Sequence, residues 1–543
     1  MMNYIDGDLL KKALVVASNT LEENKEVVNA LNVFPVPDGD TGTNMARTFN
    51  AAVEEVLKVP ENHVGKIVAA LANGALMGAR GNSGVILSQI FRGFAKGLKE
   101  SESMGIQEIA VACDMARETS YKAVMKPVEG TVLTVTRMIA EKAMSIKDEE
   151  LSLVEFLKAL LDAGDVSLEQ TTDMLEQLRT ANVVDAGGKG LMLILKGAFN
   201  TVIGKETVEL EEIVHANIEI DVNETPSLEN LKYKYCTGFM INNKKDTGEK
   251  FKKIIEKYGD SLVVAETDEV IKVHIHSNHP GEVLEEALKF GAELIDINID
   301  NMRYQHETNH EDSTSTTEEE NKDINKPYSI IAVSSGDGIS KVLKDMNVDE
   351  VITGGQTMNP STEDIVKAIN NVTGEHIIIL PNNKNIIMSA EQAASLSDKN
   401  VYVVSSKTIP QGIAALVSFQ EENDIDINLE EMTAVLDEVA TGEVTYAVRD
   451  TVINDLEIKE NDIMGIYDGN IVNVGQNTNE TTIELINEMV DDFTDIITIF
   501  YGEEVSEEES EELKELLEEK YEDIDIEIIE GKQSVYYYLI SVE

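Results

Sequence analysis

The sequence predicts a multidomain protein in which an all-α bundle is followed by an α+β domain and then by a C-terminal α/β domain. Apolar residues such as Leu9, Leu10, Ala13 and Val16 recur at helical spacing across the first part of the chain. Short β-prone runs replace that pattern further on, at 209–219, 236–241, 261–266 and 270–276, with helix-like stretches at 248–258 and 280–290. After Pro327, apolar strand-like runs at 329–334, 350–353, 376–380 and 401–405 alternate with helical stretches near 339–346, 361–371 and 389–396. An acidic helix is predicted at 503–521 and a strand at 534–542. A chain of 543 residues is also too long for one hydrophobic core, which favours several domains.

The first predicted domain, residues 1–202, is a helical bundle interrupted by four polar breaks. These breaks are residues 32–44, 78–84, 126–131 and 185–190, and each is rich in glycine or proline. Since glycine and proline end helices, each break predicts a loop between two helices. The unusual polar residues of this domain gather in the breaks, so any chemistry is expected there.

The first break carries the sequence Asp-Gly-Asp-Thr-Gly-Thr-Asn-Met at residues 38–45. Two prolines end the preceding helix, so Asp38 and Asp40 are predicted to lie in irregular backbone. Mg²⁺ prefers oxygen ligands and usually takes one or two carboxylates together with phosphate oxygens. A lone Asp-Gly-Asp is more often an ordinary turn. The Thr-Gly-Thr-Asn that follows predicts a helix N-terminus, capped by Thr43, that could face a phosphate group.

The second break, Gly78-Ala79-Arg80-Gly81-Asn82-Ser83-Gly84, predicts a loop that opens a helix. Glycines let backbone amides approach an anion, Ser83 can donate a hydrogen bond, and Arg80 can neutralise a transferring phosphoryl group. The break matches neither the P-loop nor the dinucleotide fingerprint, and a plain helix connection explains it equally well.

The third and fourth breaks contain Val-Glu-Gly-Thr at residues 128–131 and Asp-Ala-Gly-Gly-Lys-Gly at residues 185–190. Each is an ordinary turn when taken alone. Four such loops in one helical domain together predict a nucleotide site at one end of the bundle.

The second predicted domain, residues 208–306, is an α+β domain with a candidate zinc site. Strand alternation places His274 and His276 on one face, and Cys236 begins an earlier β-prone run. One cysteine and two histidines can bind zinc and leave one position open. The alternative is a pair of surface imidazoles and a buried thiol. Cys113, in an apolar helical run, is predicted to be core.

Residues 307–326 are predicted to form a flexible acidic linker, because their central run contains no apolar residue. The last domain, residues 327–543, is predicted to hold an open, largely parallel sheet, since its apolar runs lack period-two polarity. Its loops at 354–361, 380–385 and 405–412 follow predicted strands. Loops at the carboxyl ends of parallel strands form the usual binding edge of such a sheet, although structural turns explain them as well.

Composition narrows the classes of function. The 45 basic and 101 acidic residues give a formal net charge of -56, which disfavours nucleic acid and anionic membranes as partners. Two cysteines cannot build a disulfide framework. The sequence shows neither a signal-peptide pattern nor an apolar run of membrane-spanning length. These features predict a cytoplasmic protein.

Together, the motifs of the first, second and fourth breaks carry a family resemblance. Residues 1 to about 200 resemble the DhaL (DAK2) domain, the ATP-binding domain of dihydroxyacetone kinases. The order of the motifs most resembles the ATP-binding subunit of FakA-type fatty acid kinases, and that resemblance covers essentially the whole chain. It implies a DhaL-like helical domain, a middle domain with zinc, and a DegV-like C-terminal α/β domain that helps to recruit a partner.

The resemblance implies roles for particular residues. Asp38 and Asp40 are implied to hold Mg²⁺ on the phosphates of ATP, and Asn32 stands where dihydroxyacetone-linked members carry a third acidic ligand. Cys236, His274 and His276 are the implied zinc ligands. With the loop analysis, the residues predicted to bind the nucleotide are Thr41, Gly42, Thr43, Asn44, Asn82, Ser83, Gly84, Gly130, Thr131, Asp185 and Gly187.

The implied function is the ATP-dependent phosphorylation of a fatty acid carboxylate to an acyl phosphate, in phospholipid metabolism. The acyl chain is expected on a separate, DegV-like fatty-acid-binding protein of FakB type. A carboxylate is already ionised near neutral pH, so no strong base is required, and the helical domain's one histidine, His63, lies outside the loops. The family also implies a homodimer.

Two alternatives stay open from the sequence. One is a kinase of dihydroxyacetone or of another small polyol or keto substrate that uses the same ATP domain. The other is a nucleotide-binding regulatory scaffold without turnover.

Overall fold

The computed structural model describes most of the chain, and every structural statement concerns the described residues. These are residues 3–32, 39–124, 126–205, 234–242, 248–266, 270–289, 294–301, 326–355, 359–447, 451–453, 456–491 and 494–543. Contacts divide the chain into two compact units. One combines residues 1–208 with residues 324–543, and the other comprises residues 209–323.

The N-terminal part of the first unit is helical. Its described helices are α1 (Gly7–Glu23), α2 (Lys25–Leu31), α3 (Thr41–Leu57), α4 (Val64–Met77), α5 (Gly81–Gly97), α6 (Ile106–Ala123), α7 (Val132–Ile146), α8 (Leu153–Met174), α9 (Glu176–Ala181) and α10 (Ala186–Val202). Consecutive long helices pack side by side, and α10 packs against α1, which closes the ring.

The ring has two different ends. At one end Ile5 pairs with Met104, and the Gln107 side chain donates to the Lys147 carbonyl. The starts of α1, α4, α6 and α8 therefore lie at this end, which we call the far end. Because neighbouring helices run antiparallel, α3, α5, α7 and α10 all begin at the opposite end, which we call the loop end.

An apolar cavity of about 190 Å³ lies inside the ring. Ile5, Met104, Ile109 and Val202 are among its lining residues, so the cavity extends toward the far end. Cys113 also lines it, and burial raises the pKa of its thiol to about 12. Cys113 therefore faces the apolar interior, as predicted for a core residue, although the residue as a whole is only partly buried.

Glycines set the spacing between α5 and its neighbours. A Cβ atom on Gly93 would lie 2.4 Å from the Met115 carbonyl oxygen, and one on Gly97 would lie 2.5 Å from the Ala112 Cα. At the start of α5, a Cβ on Gly84 would lie 2.3 Å from the Thr48 hydroxyl of α3. The N-terminus of α5 is therefore held in place by close backbone packing.

The C-terminal part of the first unit contains two sheets. The four-stranded sheet is parallel, in the order β6-β5-β7-β8. Its strands are β5 (Tyr328–Ser334), β6 (Glu350–Thr353), β7 (His376–Leu380) and β8 (Asn400–Val403). Alternate β5 residues enter different cores, with Ile330 in one and Ile331 in the other. The strand is thus covered on both faces, as the sequence predicts.

The second sheet has six strands in the order β13-β12-β9-β16-β14-β15, and only its β14–β15 pair is parallel. The strands of this sheet, with the separate hairpin β10–β11, are β9 (Ala440–Tyr446), β10 (Thr451–Ile453), β11 (Leu456–Ile458), β12 (Ile463–Tyr467), β13 (Asn470–Gly475), β14 (Ile496–Tyr501), β15 (Asp525–Glu530) and β16 (Tyr536–Val542). Except for β16, this sheet is not among the sequence predictions. The sequence indicated a largely parallel sheet, which is right for β5–β8 and wrong for this part.

Helices cover these sheets. They are α13 (Asp337–Asp345), α14 (Thr362–Asn371), α15 (Ile387–Leu396), α16 (Ile409–Ser418), α17 (Ile425–Ala434), α18 (Thr478–Met489) and α19 (Glu507–Lys520). The predicted helical stretches near 339–346, 361–371 and 389–396 correspond to α13, α14 and α15, and the predicted acidic helix corresponds to α19.

The second unit is an α+β fold. Four antiparallel strands, β1 (Tyr235–Asn242), β2 (Gly259–Glu266), β3 (Val270–Ser277) and β4 (Leu294–Asn301), form a sheet in the order β2-β3-β1-β4. Two helices, α11 (Gly248–Ile255) and α12 (Pro280–Lys289), accompany it. The sequence predicted all of these elements except β4. The predicted strand at 209–219 and nearly all of the predicted linker lie outside the described residues.

We expect Gly93→Ala to destabilise the protein even though alanine favours helix. The new methyl group would meet the backbone of α6 at 2.4 Å, and overpacking of this kind costs about 1–3 kcal/mol. Urea unfolding followed by circular dichroism measures the change. Lys96→Ala on the exposed side of α5 is the control and should change the free energy of unfolding by less than about 0.5 kcal/mol. A neutral or stabilising Gly93→Ala would contradict the packing described here.

Candidate active site at the loop end of the ring

Asp40 lies at the centre of the candidate site. It precedes the first turn of α3, yet its side chain does not cap that helix. Its carboxylate is buried and accepts a hydrogen bond of 2.5 Å from Nδ2 of Asn359, which belongs to the C-terminal domain. The predicted partner Asp38 lies outside the described residues.

Asn44 and Gly81 connect α3 to α5. Gly81 has a φ of +57°, in the left-handed region that favours glycine. A Cβ atom on Gly81 would lie 2.5 Å from Nδ2 of the buried Asn44. The Thr48 hydroxyl donates to the Asn44 carbonyl and accepts the N–H of Arg80. The first and second breaks of the sequence therefore form one cluster.

Thr43 does not cap α3, so that prediction is wrong. The helix begins two residues earlier, at Thr41. The N–H of Thr43 donates to Oδ1 of Asn29 at 3.1 Å, and Nδ2 of Asn29 donates to the Thr43 hydroxyl at 3.0 Å. A side chain of α2 therefore occupies one of the backbone donors at this helix start.

Thr41 and Gly42 are the first two residues of α3. A Cβ on Gly42 would lie 2.1 Å from the Lys25 carbonyl oxygen, so close packing on α2 already requires glycine there. Asn32 ends α2 as its C-cap residue. The contribution of Asn32 to a metal site stays a prediction.

Arg80 points to the C-terminal domain. One of its guanidinium nitrogens donates to the Asn359 carbonyl at 2.8 Å and lies 3.7 Å from an Asp364 carboxylate oxygen. Burial lowers the pKa of Arg80, while Asp364 raises it. Arg80 and Ser361 also form an isolated antiparallel bridge. In this arrangement Arg80 joins two domains, and its action on a phosphoryl group stays a prediction.

Asn82, Ser83 and Gly84 form the first turn of α5. The Asn82 amide nitrogen lies 3.5 Å from the Lys384 carbonyl oxygen in the loop after β7. The Oδ1 atom of Asn82 is buried and receives no hydrogen bond from the described residues.

The third and fourth breaks form a second cluster. Thr131 caps α7 by accepting the N–H of Leu133, and Gly130 precedes it with a φ of +88°. Asp185 caps α10, where it accepts the N–H of Gly188 at 2.7 Å. Gly187 lies in the same first turn.

The Asp185 carboxyl lies among backbone atoms of α7 and α10. Burial raises its pKa to about 6, although hydrogen bonds from the N–H groups of Gly188 and Val132 act in the opposite direction. A Cβ atom on Gly190 would lie 2.6 Å from the Met45 sulfur, so α3 and α10 meet one turn inside the loop end. All four breaks therefore lie at one end of the ring, as the sequence predicts.

The strand register of the second unit fixes which sheet face carries each of the three predicted zinc ligands. Cys236 of β1 pairs directly with His276 of β3, and His274 pairs with Gly238. Paired residues share a sheet face, and residues two apart on a strand do so as well. The backbone therefore places Cys236, His274 and His276 on one face. Their side chains lie outside the described part of the structure, and within that part no group of three metal-binding side chains occurs.

Sequence-family models match three segments of the chain. Residues 35–200 match the DAK2 domain, residues 232–309 match the middle domain of FakA-like fatty acid kinase proteins, and residues 329–543 match the C-terminal domain of the same proteins. The YloV protein of Bacillus subtilis is 41% identical over 550 residues, which cover 99% of each chain. This chain belongs to the FakA-like fatty acid kinase family.

Other members of the family and several solved structures are also similar. An uncharacterised protein of Staphylococcus aureus is 38% identical over 553 residues, which cover all of both chains. Dihydroxyacetone kinase from C. freundii, in complex with AMP-PNP and Mg²⁺, has a TM-score of 0.28 at 20% identity, over 36% of this chain and 34% of that one. The fatty acid kinase B3 protein of Streptococcus pneumoniae, loaded with linoleic acid, has a TM-score of 0.28 at 14% identity, over 40% of this chain and 99% of that one.

Within the described part of this family member, no helix has the length and apolar character needed to cross a bilayer. Sequence reasoning missed two asparagines of the candidate site. No local sequence pattern marks Asn29 as a site residue, because its partner Thr43 is 14 residues away. Asn359 lies in a loop that the sequence did single out, but its contact with Asp40 spans 319 residues.

We expect Asp185→Asn to remove a pH-dependent part of the stability. The folded pKa of about 6 exceeds the usual 3.8, so the folded state binds the proton more tightly than the unfolded state. The contribution of Asp185 to the free energy of unfolding therefore falls by about 1–3 kcal/mol as the pH rises from about 4 to about 6. Above about pH 6 this contribution no longer changes with pH. Asparagine keeps the helix cap without the charge.

Urea unfolding of the wild type and the variant between pH 4.5 and 7.5 measures this difference. Asp162→Asn, at an exposed position on α8, is the control, because it measures how the loss of one exposed carboxylate changes the free energy of unfolding. Parallel stability curves for the wild type and Asp185→Asn would contradict the assignment.

Proposed function

We propose that this chain is the ATP-binding subunit of a fatty acid kinase. It would transfer the terminal phosphoryl group of ATP to a fatty acid carboxylate that a separate binding protein presents. The observation that carries this proposal is the loop end itself. Four helix N-termini lie at this end of the ring, and one of them, that of α3, directly follows the buried Asp40 carboxylate, in a chain of the FakA-like fatty acid kinase family.

The chain has a net charge of -56, yet its helix N-termini can still bind the negatively charged phosphates of a nucleotide. Each one carries backbone N–H groups without intrahelical partners and the positive end of a helix dipole. The starts of α3 and α5 have small residues, including Gly42, Gly81 and Gly84. We assign phosphate binding to the backbone amides of these two helix starts, with the Ser83 hydroxyl as a further donor.

The residues at the loop end fit a magnesium ion. Mg²⁺ prefers oxygen ligands and binds through one or two carboxylates together with phosphate oxygens. Asp40 supplies a buried carboxylate, and Asp38 is the predicted second one. When bound, Mg²⁺ would neutralise charge on the phosphates, while the protein positions the reacting groups.

No base is required of the protein, because the acceptor carboxylate is already ionised at neutral pH. The histidine of the helical domain supports this assignment. His63 precedes α4 at the far end of the ring, a full helix length away from Asp40. The loop end would therefore work by orientation and charge stabilisation.

The cavities of this protein are poorly suited to hold the acyl chain of the substrate. At the carboxyl edge of the parallel sheet, the cavity beside Asn382 measures about 30 Å³, which is room for about one water molecule. An adjoining cavity of about 280 Å³ is lined largely by polar side chains, among them Lys384, Gln411 and Asp468, which do not suit an acyl chain. The apolar cavity of the ring extends toward the far end, so a fatty acid held there would not direct its carboxylate to the loop end. These observations favour an acyl chain presented by a separate fatty-acid-binding protein.

We expect Asp40→Asn to lower acyl phosphate formation by about 10²–10³-fold, since the buried charge at the reacting end is lost. The assay supplies ATP, Mg²⁺ and a fatty acid bound to a DegV-family fatty-acid-binding protein, with acyl phosphate trapped by hydroxylamine. Asp8→Asn is the matched control, because Asp8 lies in the first turn of α1 at the far end. Asp38→Ala tests the predicted second ligand in the same assay.

Unchanged acyl phosphate formation by Asp40→Asn would overturn the proposed mechanism. Parallel reactions with dihydroxyacetone and without acceptor separate the alternatives. Phosphorylation of dihydroxyacetone alone identifies a small-substrate kinase, and nucleotide binding without any turnover identifies a regulatory scaffold.

We also propose a zinc ion in the second unit, held by Cys236, His274 and His276. The strand register supports it by placing the three residues on one sheet face. Cysteine and histidine are the usual zinc ligands, and a set of three leaves a fourth position open.

Metal analysis of the purified chain tests the zinc proposal. Wild type should contain one more zinc ion per chain than His274→Ala, because a site with two remaining ligands binds zinc weakly. His279→Ala is the control, since His279 is exposed in the same unit outside the ligand set. Equal zinc content in the wild type and His274→Ala would remove the proposal.

A further inference from the structure

The loop after β6 contacts the loop end of the helical ring. The N–H of Thr362 donates to the Ala79 carbonyl at 3.0 Å, and Asn359 donates to the Asp40 carboxylate at 2.5 Å. Asp40 and Asn359 are separated by 319 residues in the chain. The C-terminal domain therefore reaches the buried carboxylate that the proposed function requires.

Asn359 is only 1% exposed, and its hydrogen bonding is incomplete within the described structure. Its backbone carbonyl accepts from Arg80, and its Nδ2 donates to Asp40. Its Oδ1 is buried and receives no hydrogen bond from the described residues. A buried acceptor without a partner costs about 1–3 kcal/mol, so this oxygen indicates a place for a ligand.

A second amide oxygen at the same end has the same property. Oδ1 of Asn82, in the first turn of α5, is also buried without a donor among the described residues. A contact whose only purpose is to hold two domains together favours paired donors and acceptors. Asn359 contacts the buried Asp40 carboxylate through its Nδ2, and its free amide oxygen is the kind of ligand that a hard divalent cation prefers.

We propose that Asn359 is a binding residue of the magnesium–nucleotide site, so that the C-terminal domain completes this site. The inference rests on the proposed function, because it assigns a residue to the same loop end. It gives the C-terminal domain a role at the reacting end, in addition to the recruitment of a partner.

The carboxyl edge of the parallel sheet supports the same assignment. Two of its loops reach α5, one through Ser361 and the other through Lys384. Such edges are the usual ligand-binding side of an open α/β sheet. Here the edge faces the proposed nucleotide site.

The test measures binding of a magnesium nucleotide, independently of turnover. Isothermal titration of the full-length chain with a non-hydrolysable ATP analogue and Mg²⁺ is expected to give an affinity at least about tenfold lower for Asn359→Ala than for wild type. Asn359→Asp adds a charged oxygen ligand beside Asp40. We expect it to lower the Tm in EDTA through repulsion and to recover more Tm on addition of Mg²⁺ than the wild type does.

Two control variants separate ligand binding from domain contact. Asp364→Asn weakens the ion pair to Arg80 at the same interface and should leave nucleotide affinity within about twofold. Asn400→Ala removes an exposed asparagine at the start of β8, at the amino-terminal edge of the parallel sheet, and should change nothing.

Equal or tighter binding by Asn359→Ala would overturn the inference, and tighter binding would identify the loop as an inhibitory cap. Equal losses in Asn359→Ala and Asp364→Asn would overturn it as well, because domain contact alone would then explain the effect. If the wild type binds no magnesium nucleotide, the proposed function itself is wrong. Binding by the wild type with no change in Asn359→Ala removes the inference alone.

Discussion

The antiparallel course of the helices decides where the polar residues of this protein meet. Each connection from α3 to α7 reverses the chain, so α3, α5 and α7 all begin at one end, and the return through α8 brings the start of α10 to the same end. Four helix dipoles therefore direct their positive ends to one place. In a chain with a net charge of -56, these backbone dipoles add positive potential at the loop end.

The C-terminal domain contacts the ring at this same end. The carboxyl edge of the parallel sheet contributes Asn359, Ser361 and Lys384 to the contact, while Gln392 of α15 donates to the Leu76 carbonyl of α4. An edge that is open to ligands in a free α/β domain is thus turned toward the helical domain. The arrangement explains why Arg80, which could act on a phosphoryl group, donates to the Asn359 backbone.

Two carboxylates at the loop end, the buried Asp40 and the half-buried Asp185, have different surroundings. Asp185 caps its own helix and accepts backbone N–H groups, and burial raises its pKa to about 6. Asp40 does not cap its helix, and its carboxylate accepts from a side-chain amide of another domain. The cap at Asp185 has its donors within the fold, whereas the Asn359 side chain that contacts Asp40 carries an Oδ1 atom with no donor among the described residues. Asp185 therefore stabilises the start of its own helix, whereas Asp40 is the carboxylate that we propose as a cation ligand.

The sequence by itself determined the helices of the ring, the four breaks between them, the parallel strands β5–β8 and the family. The helices, breaks and strands follow from local patterns such as helical periodicity, glycine and proline breaks, and continuous apolar runs, whereas the family follows from the resemblance of the motifs in the breaks. Only the tertiary structure decided the pairing of the breaks, the six-stranded sheet and the contact between Asp40 and Asn359. That contact joins residues 319 positions apart, and no local pattern encodes a hydrogen bond over such a separation. The predicted cap at Thr43 is wrong in a similar way: Asp40 is the N-cap residue, and Thr43 bonds instead to Asn29 of α2, which lies 14 residues away in the chain.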